Sequence, residues 1–238
     1  SIVVGVANLR AHDQMHREGD LEYWNKDRIA ASARYQYHVY RWAAELVRQH
    51  GSRSVLDVGC GPGTKLTSLI SPVCADVEGI DQPSGVAAAK RTGAAGRYTE
   101  VDLERPESVA PWRTFDLIIC ADVLEHLIDP GPAIEMMTRF STAETLLVIS
   151  TPDRARLRGR DCMESPKPEH VREWTVPEFT RYLRSRGLSV LETRLFPADD
   201  APANSGVKQE LLWRLRLSAH SHRRCQTLLC RLGDHTDR

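Results

Sequence analysis

The sequence predicts an α/β protein: a seven-stranded, mostly parallel sheet with helices on both faces and an antiparallel last strand. Three observations predict it. Short apolar runs alternate with segments of helical periodicity between residues 54 and 196. The turn after the first run carries three glycines at alternate positions. The next two runs end on acidic residues. Strands that alternate with helices build parallel sheets through crossover connections.

Residues 8–30 are polar, with Tyr23 and Trp24 set among charges. From Ile29 to His50 the spacing of Ala30, Ala33, Tyr37, Tyr40, Ala44 and Val47 predicts one helix, and Gly51 ends it. Ser54–Val58 is the first strand, and Lys65–Ile70 begins a helix beyond the glycine turn. Val77–Ile80 is the second strand, ending at Asp81, and Ser84–Arg91 is a helix. Arg97–Val101 is the third strand, ending at Asp102. Phe115–Cys120 is the fourth, an uninterrupted apolar run suited to burial on both faces. Pro132–Phe140 is a helix and Thr145–Ser150 the fifth strand.

Arg154–His170 is charged and contains proline, so it reads as a loop or lid. Val176–Arg186 is a helix with Pro177 in its first turn. Leu188–Phe196 is a strand, Pro197–Gly206 a linker and Lys208–Leu217 an amphipathic basic helix. Cys225–Arg231 is the final strand, and Asp234–Arg238 is frayed. Residues 1–50 thus form an N-terminal helical lid or cap. Residues 51–238 form the main domain, with a lid-like loop near 153–175 and an inserted basic helix near 207–220.

Composition narrows the function. With 32 Lys+Arg against 32 Asp+Glu, the chain has no global field toward nucleic acid or anionic membrane. No apolar stretch is long enough to cross a bilayer. Ile2–Ala7 is too short for a signal segment and lacks a basic flank. Six cysteines are scattered without a C-x-x-C pair, which fits a reducing, cytoplasmic setting.

The informative segment is Asp57-Val58-Gly59-Cys60-Gly61-Pro62-Gly63. Glycines let a ligand approach the backbone and permit positive φ. The spacing G-x-G-x-G, preceded by an acid, differs from the dinucleotide fingerprint G-x-G-x-x-G, which seats a pyrophosphate. A carboxylate beside the loop suits a ligand with an ammonium group and no phosphate.

Here the chain resembles the class I, Rossmann-like methyltransferases that use S-adenosylmethionine, over roughly residues 50–195. The resemblance implies that Asp57, Gly59, Cys60, Gly61 and Gly63 lie under the methionine part of the cofactor. It implies that Asp81, with Gln82 after it, accepts the ribose hydroxyls. Asp102 and Leu103 would border the adenine. Ala121 and Asp122, within Phe115–His126, would border the methyl donor. Taken alone, Asp81 also reads as a helix N-cap and Asp102 as a surface turn acid.

Methyl transfer to a hydroxyl needs a base or a metal ion, because hydroxyl pKa values lie far above 7. His126 is the first candidate base, with Glu125 orienting it; packing or capping is the alternative role. His170 is the second, within Glu169–Thr175, a segment similar to one in bacterial methyltransferases of sugars and glycans. Asp122, Asp153 and His170 are candidate ligands for Mg2+. Tyr23, Trp24, Asp27 and Arg28 form a lid over the cofactor or a helix cap. The basic residues Lys208, Arg214, Arg216, Arg223 and Arg224 make a solvated face, a homodimer contact or a dock for an anionic acceptor.

The expected activity is methyl transfer to a hydroxyl of a small polar acceptor, a carbohydrate, with no nucleic-acid partner. Aromatic residues are only 6% of the chain, which argues against a large flat acceptor. Asn/Asp-Pro-Pro-Tyr, which amide and nucleic-acid methylation would lead one to expect after the fourth strand, is absent. The alternatives are N- or C-methylation of a secondary metabolite, a non-catalytic S-adenosylmethionine-binding module, and a nicotinamide oxidoreductase, which the glycine spacing disfavours.

Overall fold

The computed structural model describes residues 23–159, 161–163, 165–197 and 224–233. The seven strands are β1 (Ser54–Val58), β2 (Asp76–Asp81), β3 (Arg97–Glu100), β4 (Leu117–Ala121), β5 (Leu146–Pro152), β6 (Leu188–Pro197) and β7 (Arg224–Leu232). They form one sheet in the order β3-β2-β1-β4-β5-β7-β6. The first five strands pair in parallel. The last strand, β7, runs antiparallel to both neighbours, β5 and β6. The predicted architecture and its antiparallel last strand are what the chain adopts.

Strand alternation sorts the core into two layers. Leu56, Val58, Ile118, Cys120, Leu147 and Ile149 face one side. There they meet Ala133, Ile134, Met136 and Met137 of helix α4 (Gly131–Arg139) and Phe179 and Leu183 of helix α6 (Val176–Ser185). Val55, Leu117, Ile119, Leu146 and Val148 face the other side. Helix α2 (Tyr37–His50) covers that side with Val39, Tyr40, Trp42, Ala43, Leu46 and Val47. Asp57 lies two positions from Val55 in β1, so it faces the α2 layer.

Several elements depart from the sequence expectation. The single helix expected over Ile29–His50 is two helices, α1 (Lys26–Ser32) and α2. Between them Gln36 adopts a left-handed conformation, φ 54°. Its side-chain amide Nε2 donates to Asp122 Oδ2 at 3.1 Å, a contact 86 residues away in sequence. The helix after the glycine turn is a short π-helix, Leu66–Ile70, closed by Ser71 N–H on the Leu66 carbonyl. Helix α3 (Pro83–Thr92) opens on proline and ends at Gly93, φ 67°.

The expected loop at Arg154–His170 contains a helix, α5 (Arg154–Arg158), whose N-cap Asp153 accepts from Ala155 N–H. Asp153 also bridges to Trp174 in parallel, so this segment is fastened at both ends. β3 stops at Glu100, and Asp102 falls in the turn beyond. The Pro197–Gly206 linker beyond its first residue, the Lys208–Leu217 helix and the frayed C-terminus lie outside the described residues. Among the described residues, no helix is long and apolar enough to cross a membrane.

Candidate active site

The C-terminal ends of β1, β2 and β4 meet at the glycine turn, where ligands bind in open α/β sheets. Gly59, Gly61 and Gly63 all have positive φ, at 75°, 55° and 67°. Two of them are required by the protein's own packing. A Cβ on Gly59 would lie 2.3 Å from Val123 Cγ2, and one on Gly63 would lie 2.2 Å from the Tyr98 hydroxyl. The space that Gly61 leaves is filled by the Trp24 ring, 3.1 Å from an ideal Cβ. Cys60 is buried beneath the turn.

Asp57 is fully buried, and the Tyr40 hydroxyl lies 2.9 Å from each carboxylate oxygen. Burial pushes its pKa up to about 7, against the Tyr40 hydrogen bond and the Lys65 charge, which pull it down. Lys65 is itself buried, with Nζ donating to the Ser32 carbonyl at 2.9 Å. Asp81 accepts from Gly61 N–H and Gln82 N–H, both at 2.7 Å. Burial raises its pKa to about 6, opposed by those two backbone donors. Gln82 is the exposed N-cap of α3. Asp102 is exposed and caps its own turn by accepting from Glu104 N–H at 2.9 Å, while Leu103 packs partly against the core.

The N-terminal elements close over this turn. Ser32 Oγ and Thr64 Oγ1 are 2.9 Å apart, and Arg91 donates to the Trp24 carbonyl at 2.9 Å. Trp24 Nε1 is buried without a hydrogen-bond partner. Tyr23, Asp27 and Arg28 are exposed, with the Arg28 guanidinium 4.1 Å from the Tyr23 ring centroid. This surface fits a cationic ligand carrying a hydrogen-bond acceptor: the buried Asp57 carboxylate, the half-buried Asp81 carboxylate and an indole N–H without an acceptor.

At the end of β4, Ala121 is buried and Asp122 stands in the left-handed region at φ 54°. For a non-glycine residue this costs about 1–3 kcal/mol. Tertiary contacts hold it there. Ser150 Oγ donates to Oδ1 at 2.7 Å, the Cys225 thiol lies 3.3 Å from the same oxygen, and Gln36 donates to Oδ2.

Three residues further on, Glu125 is fully buried. Thr151 Oγ1 donates to its Oε2 at 3.2 Å, while Oε1 has no hydrogen-bond partner. Burial and the nearby Asp122 push its carboxyl well above the usual range. His126 Nδ1 lies 2.8 Å from the Glu169 carbonyl, so that nitrogen carries the proton. Burial and His170 lower its pKa to about 4. The ring stays neutral, and a group with that pKa is a weak proton acceptor at neutral pH.

His170 is buried, and its Nδ1 donates to Glu173 Oε1 at 2.8 Å. The His126 and His170 rings meet edge to face, 4.8 Å between centroids. Glu173 also accepts from Arg158 and Ser165. Burial alone would raise its pKa, but these donors bring it down to about 2.

The expected catalytic residues Glu125, His126 and His170 are therefore brought together across 45 positions of sequence. The expected metal ligands Asp122, Asp153 and His170 are not the group that converges. Among the described residues the converging ligand atoms belong to Glu125, His126 and His170, all within 4.8 Å of one another. Asp122 is held as above, and Asp153 is spent on its helix cap and on Arg156 at 3.1 Å. Sequence reasoning assigned no role to Tyr40, Gln36, Lys65 or Glu173. Tyr40 sits on the apolar stripe of its helix, where an aromatic residue announces only packing.

The fold is the Rossmann-like fold of the class I S-adenosylmethionine-dependent methyltransferases. The chain belongs to the methyltransferase-domain family, which it matches over residues 32–193. It is 28% identical over 154 residues to a ubiquinone biosynthesis O-methyltransferase of Bradyrhizobium diazoefficiens, covering 60% of each protein. It is 30% identical over 152 residues to a probable S-adenosylmethionine-dependent methyltransferase of Mycolicibacterium smegmatis, covering 62% of this chain and 56% of that one. The matches thus span about three fifths of the length of these curated relatives. The plantazolicin methyltransferase BamL, solved with S-adenosylhomocysteine, superposes with a TM-score of 0.64 at 15% identity over 96% of each chain. At that identity the likeness concerns the fold.

Proposed function

We propose that this protein transfers the methyl group of S-adenosylmethionine to a hydroxyl of a small polar acceptor of the carbohydrate class. The observation that carries the reading is the polar cluster Glu125–His126–His170 at the end of β4, next to the glycine turn. S-adenosylmethionine supplies an electrophilic methyl group when bound.

The chain's own residues do the rest. Asp57 faces the ammonium end of the cofactor, and Asp81 faces its ribose. Trp24, fixed against Gly61 by α1, excludes water from the cofactor. Tyr40 and Lys65 hold Asp57 in place. Ala121 and Asp122 border the sulfonium.

A hydroxyl acceptor must lose its proton as the methyl arrives. The cluster orients the hydroxyl as its proton leaves to water; the Glu169 carbonyl and the Glu173 carboxylate fix both imidazoles with Nδ1 protonated. An amine reaching the site neutral would need no such arrangement.

The charge-rich composition of residues 154–175 favours a hydrophilic acceptor. A second reading is a phenolic hydroxyl, favoured by the names of the ubiquinone biosynthesis relatives. Labelled S-adenosylmethionine incubated with panels of sugars, catechols and amines tests both. Labelled methyl ethers of sugars are the expected product. Label on catechols alone would select the second reading, and label on amines alone would overturn O-methylation.

A further inference from the structure

We infer that Glu125, His126 and His170 form a binding site for one divalent first-row transition-metal ion such as Zn2+, Mn2+ or Fe2+. One ligand atom from each residue lies within 4.8 Å of the other two. Bonds of about 2.0–2.1 Å to nitrogen and oxygen place tetrahedral ligand atoms about 3.4 Å apart. The cluster therefore needs to close by little more than about an ångström.

A second, independent observation comes from Glu125. Its side chain is fully buried, and Oε1 has no hydrogen-bond partner. A buried carboxyl oxygen without a hydrogen-bond partner is costly. A cation at this point removes that cost.

The outer shell is also that of a metal site. Metal-binding histidines characteristically donate their second ring nitrogen to a carboxylate or a backbone carbonyl, which fixes ring and tautomer. His170 Nδ1 donates to Glu173, and His126 Nδ1 donates to the Glu169 carbonyl. Arg158 and Ser165 hold Glu173 in turn, and Arg172 N–H donates to the Glu125 carbonyl at 3.3 Å. The segment 165–173 thus builds the shell for residues from the end of β4.

The donor set selects the class of ion. Two imidazoles with one carboxylate suit Zn2+, Fe2+ or Mn2+. Mg2+ prefers an oxygen shell that keeps several waters. This departs from the expectation of Mg2+ on Asp122, Asp153 and His170.

The role of the ion rests on the O-methylation reading. A hydroxyl coordinated there ionises more readily. Its proton passes to water, its oxygen forms the new bond to the methyl carbon, and the carbon–sulfur bond breaks to leave neutral S-adenosylhomocysteine.

The test is a Co2+ titration of the chelator-treated full chain, followed by visible d–d absorption. Calorimetric S-adenosylhomocysteine binding is measured on the same samples. The expected result is a saturable spectrum at about one ion per chain, as one mononuclear site requires. The spectrum should vanish in His126→Ala and in Glu125→Gln. In Glu173→Gln, apparent affinity should fall about 10–100-fold, the size of outer-shell effects. Asp153→Asn should leave it unchanged, and Mg2+ in equal amount should not displace Co2+.

A wild-type chain that binds S-adenosylhomocysteine yet shows no Co2+ spectrum overturns the metal site and leaves the methyltransferase reading standing. So does a spectrum that survives both ligand variants. Loss of S-adenosylhomocysteine binding in the wild type instead strikes the cofactor reading. A variant that has lost cofactor binding is scored as misfolded, and the other ligand variant decides.

Discussion

Asp81 illustrates how much of the site rests on single side chains. Its carboxylate sits between two backbone N–H donors at the start of α3, and burial raises its pKa to about 6. Asp81→Ala should weaken S-adenosylmethionine binding by about 1–3 kcal/mol, the cost of an unpaired polar partner. Unchanged calorimetric affinity would remove the ribose role. His126→Ala should lower methyl transfer by roughly a hundredfold if the cluster handles the acceptor's proton. Cofactor affinity should change little, because the ring packs against His170. Both residues were legible in the sequence as polar groups at strand ends. Their partners were not, since Tyr40, Gln36 and Glu173 become functional only through contacts that folding makes.

Elements carry the next level of constraint. Helix α3 begins so close to β2 that a Cβ on Gly85 would lie 2.6 Å from Asp81 Cγ. Gly85→Ala should therefore displace Asp81 and cost cofactor affinity. Helix propensity itself favours alanine by up to about 1 kcal/mol. A melting temperature near the wild type with affinity lowered about tenfold would separate the two effects; wild-type affinity would show that α3 yields.

Helix α6 starts with a full capping box, in which Thr175 N–H donates to Glu178 Oε2 at 2.8 Å. Thr175→Ala should cost about 1 kcal/mol in denaturant unfolding. The break between α1 and α2 shows why element boundaries were harder to read than elements. Helical periodicity runs on through Ala33 and Tyr37, whereas the Gln36–Asp122 bond ties the left-handed turn between them to the end of β4.

At the scale of the whole molecule, buried carboxylates couple stability to pH. Asp57 and Asp81 have pKa values raised by burial, to about 7 and about 6. The folded state therefore holds protons that the unfolded chain releases near pH 4. Their contribution to stability is fully present below about pH 4 and is lost as pH rises toward 7. A cationic cofactor reverses the preference, because it favours ionised Asp57. S-adenosylmethionine binding should thus release protons near pH 6.5 and tighten as pH rises to about 7.5. Calorimetry in two buffers of different ionisation enthalpy measures this. Proton uptake on binding would contradict the assignment of Asp57.

The sequence by itself determined the sheet, its parallel core and the place of the glycine turn; the antiparallel last strand is what the family resemblance implied. Those features follow from local patterns: apolar runs of strand length, glycines that permit positive φ and the helix stop at Gly51. It also supplied Glu125, His126 and His170 as separate candidates. Only the tertiary structure decided that these three converge, that Asp102 turns to solvent and that Asp122 and Asp153 are occupied elsewhere. The physical reason is range. Periodicity and turn chemistry act between residues a few positions apart, whereas a buried polar cluster is defined by which distant side chains satisfy one another.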